Sequence, residues 1–74
     1  MKFENIEMLI DDSGEITIGR VGHVRCAAAA SDENQCLAML VRRPDESFED
    51  LLARLDGAIA DAVEDQIFVD EING

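Results

Sequence analysis

Residues 48–65, FEDLLARLDGAIADAVED, carry the strongest pattern in this 74-residue sequence. At about 100° per residue, the apolar side chains of this segment fall within one arc of about 140°, which predicts an amphipathic helix. The arc contains Phe48, Leu51, Leu52, Leu55, Ala58, Ile59, Ala62 and Val63. Ser47 followed by Asp50 is similar to a capping box and indicates where the helix begins. A helix of this kind must bury its apolar face against another element, so a sheet is expected in the rest of the chain.

Shorter patterns before this helix indicate strands. Apolar and polar residues alternate over 6–10, which predicts a first strand, and the DDSG sequence at 11–14 predicts a hairpin turn. Even positions over 15–30 are mostly apolar, and two glycines interrupt them, so we expect one long bent strand or two short ones. Residues 35–43, QCLAMLVRR, are apolar on both parities, as in a central strand; a short helix is the alternative.

Residues 66–72, QIFVDEI, predict a short closing strand. The predicted order is β-β-β-α-β, an α+β fold with a three-stranded antiparallel sheet, the helix on one face and a short C-terminal strand. A chain of this length is expected to form one domain, 1–74. Ala28 and Ala30 would face the helix and let it come close to the sheet, with Phe48 or Leu52 filling the space between them.

Both cysteines lie in one segment, CAAAASDENQC, at residues 26–36. A turn at 32–34 offsets Cys26 from Cys36 by four positions along the ladder, about 13 Å, whereas a disulfide needs Cα atoms within about 7 Å. Zinc requires about four ligands, and the chain offers two cysteines and one histidine. We therefore predict two free, buried thiols in a reducing compartment, with no disulfide and no metal.

The charge of the chain is strongly acidic and unevenly distributed. Seventeen Asp and Glu against six Lys and Arg give a formal net charge of −11. Residues 44–74 hold ten of the acids and one base, whereas residues 1–43 hold seven acids and five bases. This charge disfavours direct binding to nucleic acid or to an anionic membrane, and it favours a basic protein partner. The alternative is that acidity only keeps a small protein soluble.

The sequence contains no motif that we assign to catalysis, to a cofactor or to a metal. The spacing of Gly19 and Gly22 fits neither a Walker motif nor a dinucleotide loop, and the residues around Gly14 do not match an EF-hand. His23 is expected on an outward strand face in solvent. A non-enzymatic protein is therefore predicted. The first 14 residues contain one Lys and no long apolar run, so we expect no secretory signal and a cytoplasmic location.

The outward face of the predicted helix is where we expect function. The residues in the middle of this face have small side chains, and carboxylates flank them on both sides. Arg54 lies among the flanking residues. An exposed glycine within a helix costs about 1 kcal/mol relative to alanine, and small residues three or four positions apart let another backbone approach closely. The predicted partner-binding residues are Glu49, Asp50, Ala53, Asp56, Gly57, Ala60, Asp61, Glu64 and Asp65. An ordinary solvated face is the alternative interpretation.

Two kinds of binding partner for this face can be compared by their charge. A symmetric homodimer would bring like charges together, and Arg54 would relieve the repulsion only in part. A basic protein would be attracted, and a row of carboxylates can take the place of phosphates on a nucleic-acid-binding surface. In size and charge the chain resembles small acidic inhibitors from phages and mobile elements, including anti-CRISPR proteins. The DDSG sequence and the element order also resemble those of HicB-type antitoxins, which implies a basic toxin as partner.

The prediction from the sequence is thus a non-enzymatic acidic interaction module that docks a basic, nucleic-acid-binding protein through its carboxylate-rich C-terminal half and inhibits it. The alternative is a small structural or accessory subunit, homodimeric or not, whose acidity serves solubility.

Overall fold

The computed structural model describes residues 2–73, which form two helices and four strands in the order α-β-β-β-α-β. The helices are α1 (Glu4–Asp11) and α2 (Phe48–Asp65). The strands are β1 (Glu15–Val21), β2 (Val24–Ser31), β3 (Cys36–Val41) and β4 (Val69–Asp70). The predicted α+β class is confirmed, since a helix packs on a mostly antiparallel sheet with a short C-terminal strand. The sheet has four strands rather than three.

The strands lie side by side in the order β1-β2-β3-β4. The pairs β1–β2 and β2–β3 are antiparallel, and β4 joins β3 in parallel after the chain has returned through α2. Ala28 of β2 lies between Ile18 of β1 and Leu40 of β3. The predicted strand over 35–43 is confirmed. For 15–30 the second alternative is right, since two strands are joined by a turn at Gly22, whose φ is 58°.

Both helices contribute to one hydrophobic core over the sheet. Ala28 and Ala30 are fully buried within it, which confirms that small residues lie beneath the helix. The space above them is filled by Leu51, Leu55 and Ile59 of α2, all fully buried. The expectation that Phe48 or Leu52 would fill it is wrong, because Phe48 is half exposed at the start of α2 and Leu52 is only partly buried.

Residues 6–10 were predicted as a strand, and the structure corrects this to a helix, α1. Leu9, at an odd position, is the buried residue of α1, whereas Met8 and Ile10 are exposed. The DDSG sequence ends this helix instead of forming a hairpin: the N–H groups of Asp12, Ser13 and Gly14 donate to α1 carbonyls, and Ser13 adopts a left-handed φ of 69°. The alternation of apolar and polar residues was misleading, because eight residues are too few to distinguish the helical period of 3.6 residues from the strand period of two.

The cysteines are free, as predicted. Cys36 pairs with Ser31 beside the β2–β3 turn, while the carbonyl of Cys26 accepts the N–H of Arg42 at the other end of the ladder. The expectation that both thiols are buried is wrong, because Cys36 is exposed and Cys26 is half-buried. Neither helix of the described residues is long and apolar enough to span a membrane.

Candidate protein-interaction surface

Helix α2 forms over the predicted residues because both of its ends are capped. The Oγ atom of Ser47 accepts the N–H of Asp50 at 3.0 Å, as the capping pattern predicted. At the other end, Gln66 adopts a left-handed conformation with φ of 57° and donates its N–H to Ala62. These caps satisfy free backbone groups at the two ends of α2 and so define where the helix begins and ends.

Six of the nine predicted partner-binding residues are exposed in the structure. They are Glu49, Asp50, Gly57, Asp61, Glu64 and Asp65. With 3.6 residues per turn, Asp50, Gly57, Asp61 and Glu64 fall within an arc of about 60°. A Cβ atom built on Gly57 would meet nothing within 4 Å, so this part of α2 is open to an approaching surface. We call these six residues the α2 acidic face.

The other three predicted residues, Ala53, Asp56 and Ala60, are half-buried. Asp56 is engaged within the molecule: its Oδ1 accepts the backbone N–H groups of Asn5 and Ile6 at 2.8 and 2.9 Å, and its Oδ2 accepts the Asn5 side-chain amide at 2.9 Å. These contacts hold α1 against α2 and occupy the carboxylate of Asp56 within the molecule.

Arg54 forms a network that the sequence did not reveal. Its guanidinium donates through Nε and a terminal nitrogen to the two carboxylate oxygens of Glu46, at 2.8 and 3.0 Å. It also donates to Glu71 at 2.9 Å and to the carbonyl of Val41 at 2.9 Å. The guanidinium hydrogen bonds, followed by the backbone N–H of Arg43, lower the pKa of Glu46 from 4.5 to about 2. Glu46 in turn raises the pKa of Arg54.

This network joins α2 to the ends of β3 and β4, because Glu71 also accepts the N–H of Val41. The sequence contained one signal for it, since Arg54 is the single base among the ten acids of residues 44–74. A lone base in such a segment is expected to be paired. The guanidinium of Arg54 forms salt bridges with Glu46 and Glu71, so it is not available to neutralise the α2 acidic face.

Both helices end close to the β2–β3 turn. Met8 of α1, Val63 of α2 and Asn34 of the turn line one hollow there. Residues 8–12, 31–36 and 59–66 contain no Lys or Arg, and we call this end of the molecule the acidic pole. Its acids are Asp11, Asp12, Asp32, Glu33, Asp61, Glu64 and Asp65. Because neither helix has a base in its last turn, the negative ends of two helix dipoles add to these carboxylates.

The arginines of the sheet lie at the opposite end. Arg20 and Arg25 flank the β1–β2 turn, and Arg42 and Arg43 follow β3, where the N–H of Arg42 meets the start of β2. Strand β2 separates this end from the acidic pole by about 23 Å at the usual rise per residue. The arginines of the sheet are therefore concentrated at one end of the strands, where Asp45 and Glu46 accompany them. His23 is exposed in the β1–β2 turn at the arginine end.

Within residues 2–73, no three His, Cys, Asp or Glu side chains are arranged as a metal site. Comparisons with models of known protein families, with curated proteins and with solved structures found no match to this chain.

Proposed function

We propose that this protein is a non-enzymatic interaction module that binds a basic protein through the α2 acidic face and inhibits it by occupying a surface used for nucleic acid. The observation that carries the proposal is the arrangement of exposed carboxylates around the open Gly57. The one cation in this half of the chain, Arg54, is engaged with Glu46 and Glu71. Among the described residues, no carboxylate of the face forms a salt bridge.

The placement of acids at the end of α2 supports a role outside folding. Glu64 and Asp65 lie in the last turn of the helix, where the dipole favours cations and each acid is unfavourable by about 0.3–1 kcal/mol. Lys or Arg side chains of a partner would relieve this repulsion on binding. Such an interface gains association rate from electrostatic attraction and weakens as salt rises.

A homodimeric accessory subunit is the second candidate, and one observation favours it. Strand β1 lies at the edge of the sheet and pairs only with β2 among the described residues. An open edge of seven residues can pair with the same strand of a second copy. This interface would lie away from the α2 acidic face.

The cytoplasmic location remains part of the proposal, and the two unpaired cysteines support a reducing compartment.

The test compares two triple variants in pull-downs from a lysate of the source cells at low and high salt. D50N/D61N/D65N removes three of the five carboxylate charges of the α2 acidic face, and E4Q/E7Q/E15Q removes the same number of exposed charges elsewhere. The proposal predicts a basic protein that is captured at low salt, released at high salt, lost with the first variant and retained with the second. Circular dichroism confirms that both variants are folded.

Two results would decide against this function. Equal capture by both variants moves the binding site off α2. No captured protein at any salt, together with a dimer in light scattering, supports the accessory subunit.

A further inference from the structure

An apolar groove lies at the acidic pole, beside the α2 acidic face. Met8 and Leu9 of α1, Ile59 and Val63 of α2 and Leu37 of β3 line a hollow of about 430 Å³. A second hollow of about 360 Å³ shares Leu37 and Val63 with the first and extends to Phe68. We call the two together the pole groove.

The pole groove is the uncovered end of the hydrophobic stripe of α2. Leu51, Leu55 and Ile59 of that stripe are fully buried, whereas Val63, one turn further on, is 52% exposed. The end of α1 lies beside α2 at this level, and Met8 and Asp12 line the same hollow as Val63. Met8 and Phe68, at 43% and 47% exposure, place two more large apolar side chains at the borders of the groove. Adjacent exposed apolar residues rimmed by polar ones are typical of an interaction site.

The rim of the groove selects the occupant by charge. Asp12, Asp32 and Glu33 line it, and no Lys or Arg is among its lining residues. The C-terminal ends of α1 and α2 add negative potential at the same place. An acidic segment would be repelled, and a neutral apolar segment would gain nothing from the rim. A segment that carries Lys or Arg on both sides of an apolar side chain complements both parts of the groove.

We infer that the pole groove binds a bulky apolar side chain of the basic partner, presented between Lys or Arg residues. This inference rests on the proposed function, because the partner is the one that contacts the α2 acidic face. Contacts with an apolar anchor do not weaken as salt rises, unlike contacts with carboxylates. They also add specificity, because a basic protein without a matching apolar side chain cannot make them.

Three labelled peptides test the inference by fluorescence anisotropy at 150 mM salt. The first is Lys-Arg-Phe-Leu-Arg-Lys, the second replaces Phe and Leu by Ala, and the third replaces the four bases by Gln. The first peptide is expected to bind at least tenfold more tightly than either of the others. In ¹H–¹⁵N spectra it should shift the amide signals of Leu37 and Val63.

Matched variants locate the site. Val63→Arg places a cation in the groove and is expected to weaken binding of the first peptide at least tenfold. Ile67→Arg adds the same charge at a residue that is 54% exposed and outside the groove, and it should change binding less than twofold. Met8→Lys and Ile10→Lys form a second pair on α1, in which only Met8 borders the groove. Both replaced side chains in each pair are exposed, so folding is expected to survive.

The outcomes separate this inference from the proposed function. Equal binding of the first two peptides overturns the apolar anchor and leaves cation binding by the α2 acidic face intact. Equal binding of the first and third peptides overturns the basic character of the occupant. Binding of none of the three overturns the inference, while the pull-down with the charge variants still decides the function. Self-association of the wild-type chain that Val63→Arg abolishes would assign the groove to a second copy instead.

Discussion

Asn5 and Asp56 are joined by two hydrogen bonds across 51 positions of sequence: the backbone N–H and the side-chain amide of Asn5 both donate to the Asp56 carboxylate. The N–H of Ile6 donates to the same carboxylate. Phe3, at the N-cap position of α1, makes no side-chain capping bond. A carboxylate from the middle of α2 therefore satisfies the free N–H groups that a capping side chain normally satisfies.

Asp56→Ala is expected to destabilise the protein by about 1–2 kcal/mol, because it removes the cap of α1 and leaves partly buried N–H groups without an acceptor. Urea unfolding followed by circular dichroism at 222 nm measures the change. Asp61→Ala is the control, since the Asp61 carboxylate is exposed on the same helix and has no hydrogen-bond partner among the described residues, and this substitution should not destabilise the protein. Equal effects of the two substitutions would show that Asp56 does not cap α1.

The two helices show what the sequence can predict here. Helix α2 was predicted over its whole length because 18 residues repeat the same apolar spacing for five turns and a serine caps the start. Helix α1 was missed because eight residues do not define a period, and because its cap comes from a residue far away in the sequence. Short helices are marginal without tertiary contacts, so local pattern alone does not determine them.

The same contrast holds for the candidate site. The exposed acids of α2 follow from the helical wheel and were predicted. The pole groove was not, because its walls come from three segments that only the fold brings together. Val63 was assigned to the core on the wheel, and nothing in the sequence indicates that it borders an open hollow.

Glu46→Gln is expected to lower stability at pH 7 and to have a much smaller effect at pH 2. The pKa of Glu46 is lower in the folded protein than its ordinary value, about 2 against 4.5, so ionised Glu46 stabilises the fold above pH 4.5. This contribution is lost as the pH falls from 4.5 to 2. Urea midpoints of both proteins at several pH values between 2 and 7 measure the difference. Asp45→Asn, at an exposed neighbour, is the control. A difference that stays constant across this pH range would contradict the pairing with Arg54.

The two thiols are expected to react at different rates with a thiol reagent in the folded protein. Cys36 is exposed beside the β2–β3 turn and should react fast, whereas Cys26 is half-buried against the core and should react slowly. Cys36→Ser should remove only the fast phase, and Cys26→Ser only the slow one. A single phase for the wild-type protein would contradict the difference in exposure.

Gly57→Ala is expected to stabilise the unbound protein by about 0.8–1 kcal/mol, because alanine has the higher helix propensity and its Cβ meets nothing within 4 Å. Gly57→Leu tests the site rather than the fold. If a partner backbone lies against α2 at this position, the larger side chain should weaken capture of the partner, although it should raise the urea midpoint about as much as Gly57→Ala does. Unchanged capture by the leucine variant would place the partner elsewhere on the acidic face.

Ala28→Leu is expected to destabilise the protein by about 1–3 kcal/mol through overpacking. Ala28 is fully buried between Ile18 and Leu40 on the sheet face that α2 covers, so a larger side chain must displace the helix or a neighbouring strand. Ala29→Leu is the control: this residue points to the other face of the sheet and is only half-buried. Melting temperatures compare the variants. An Ala28→Leu protein that melts with the wild type would show that α2 does not lie close to β2.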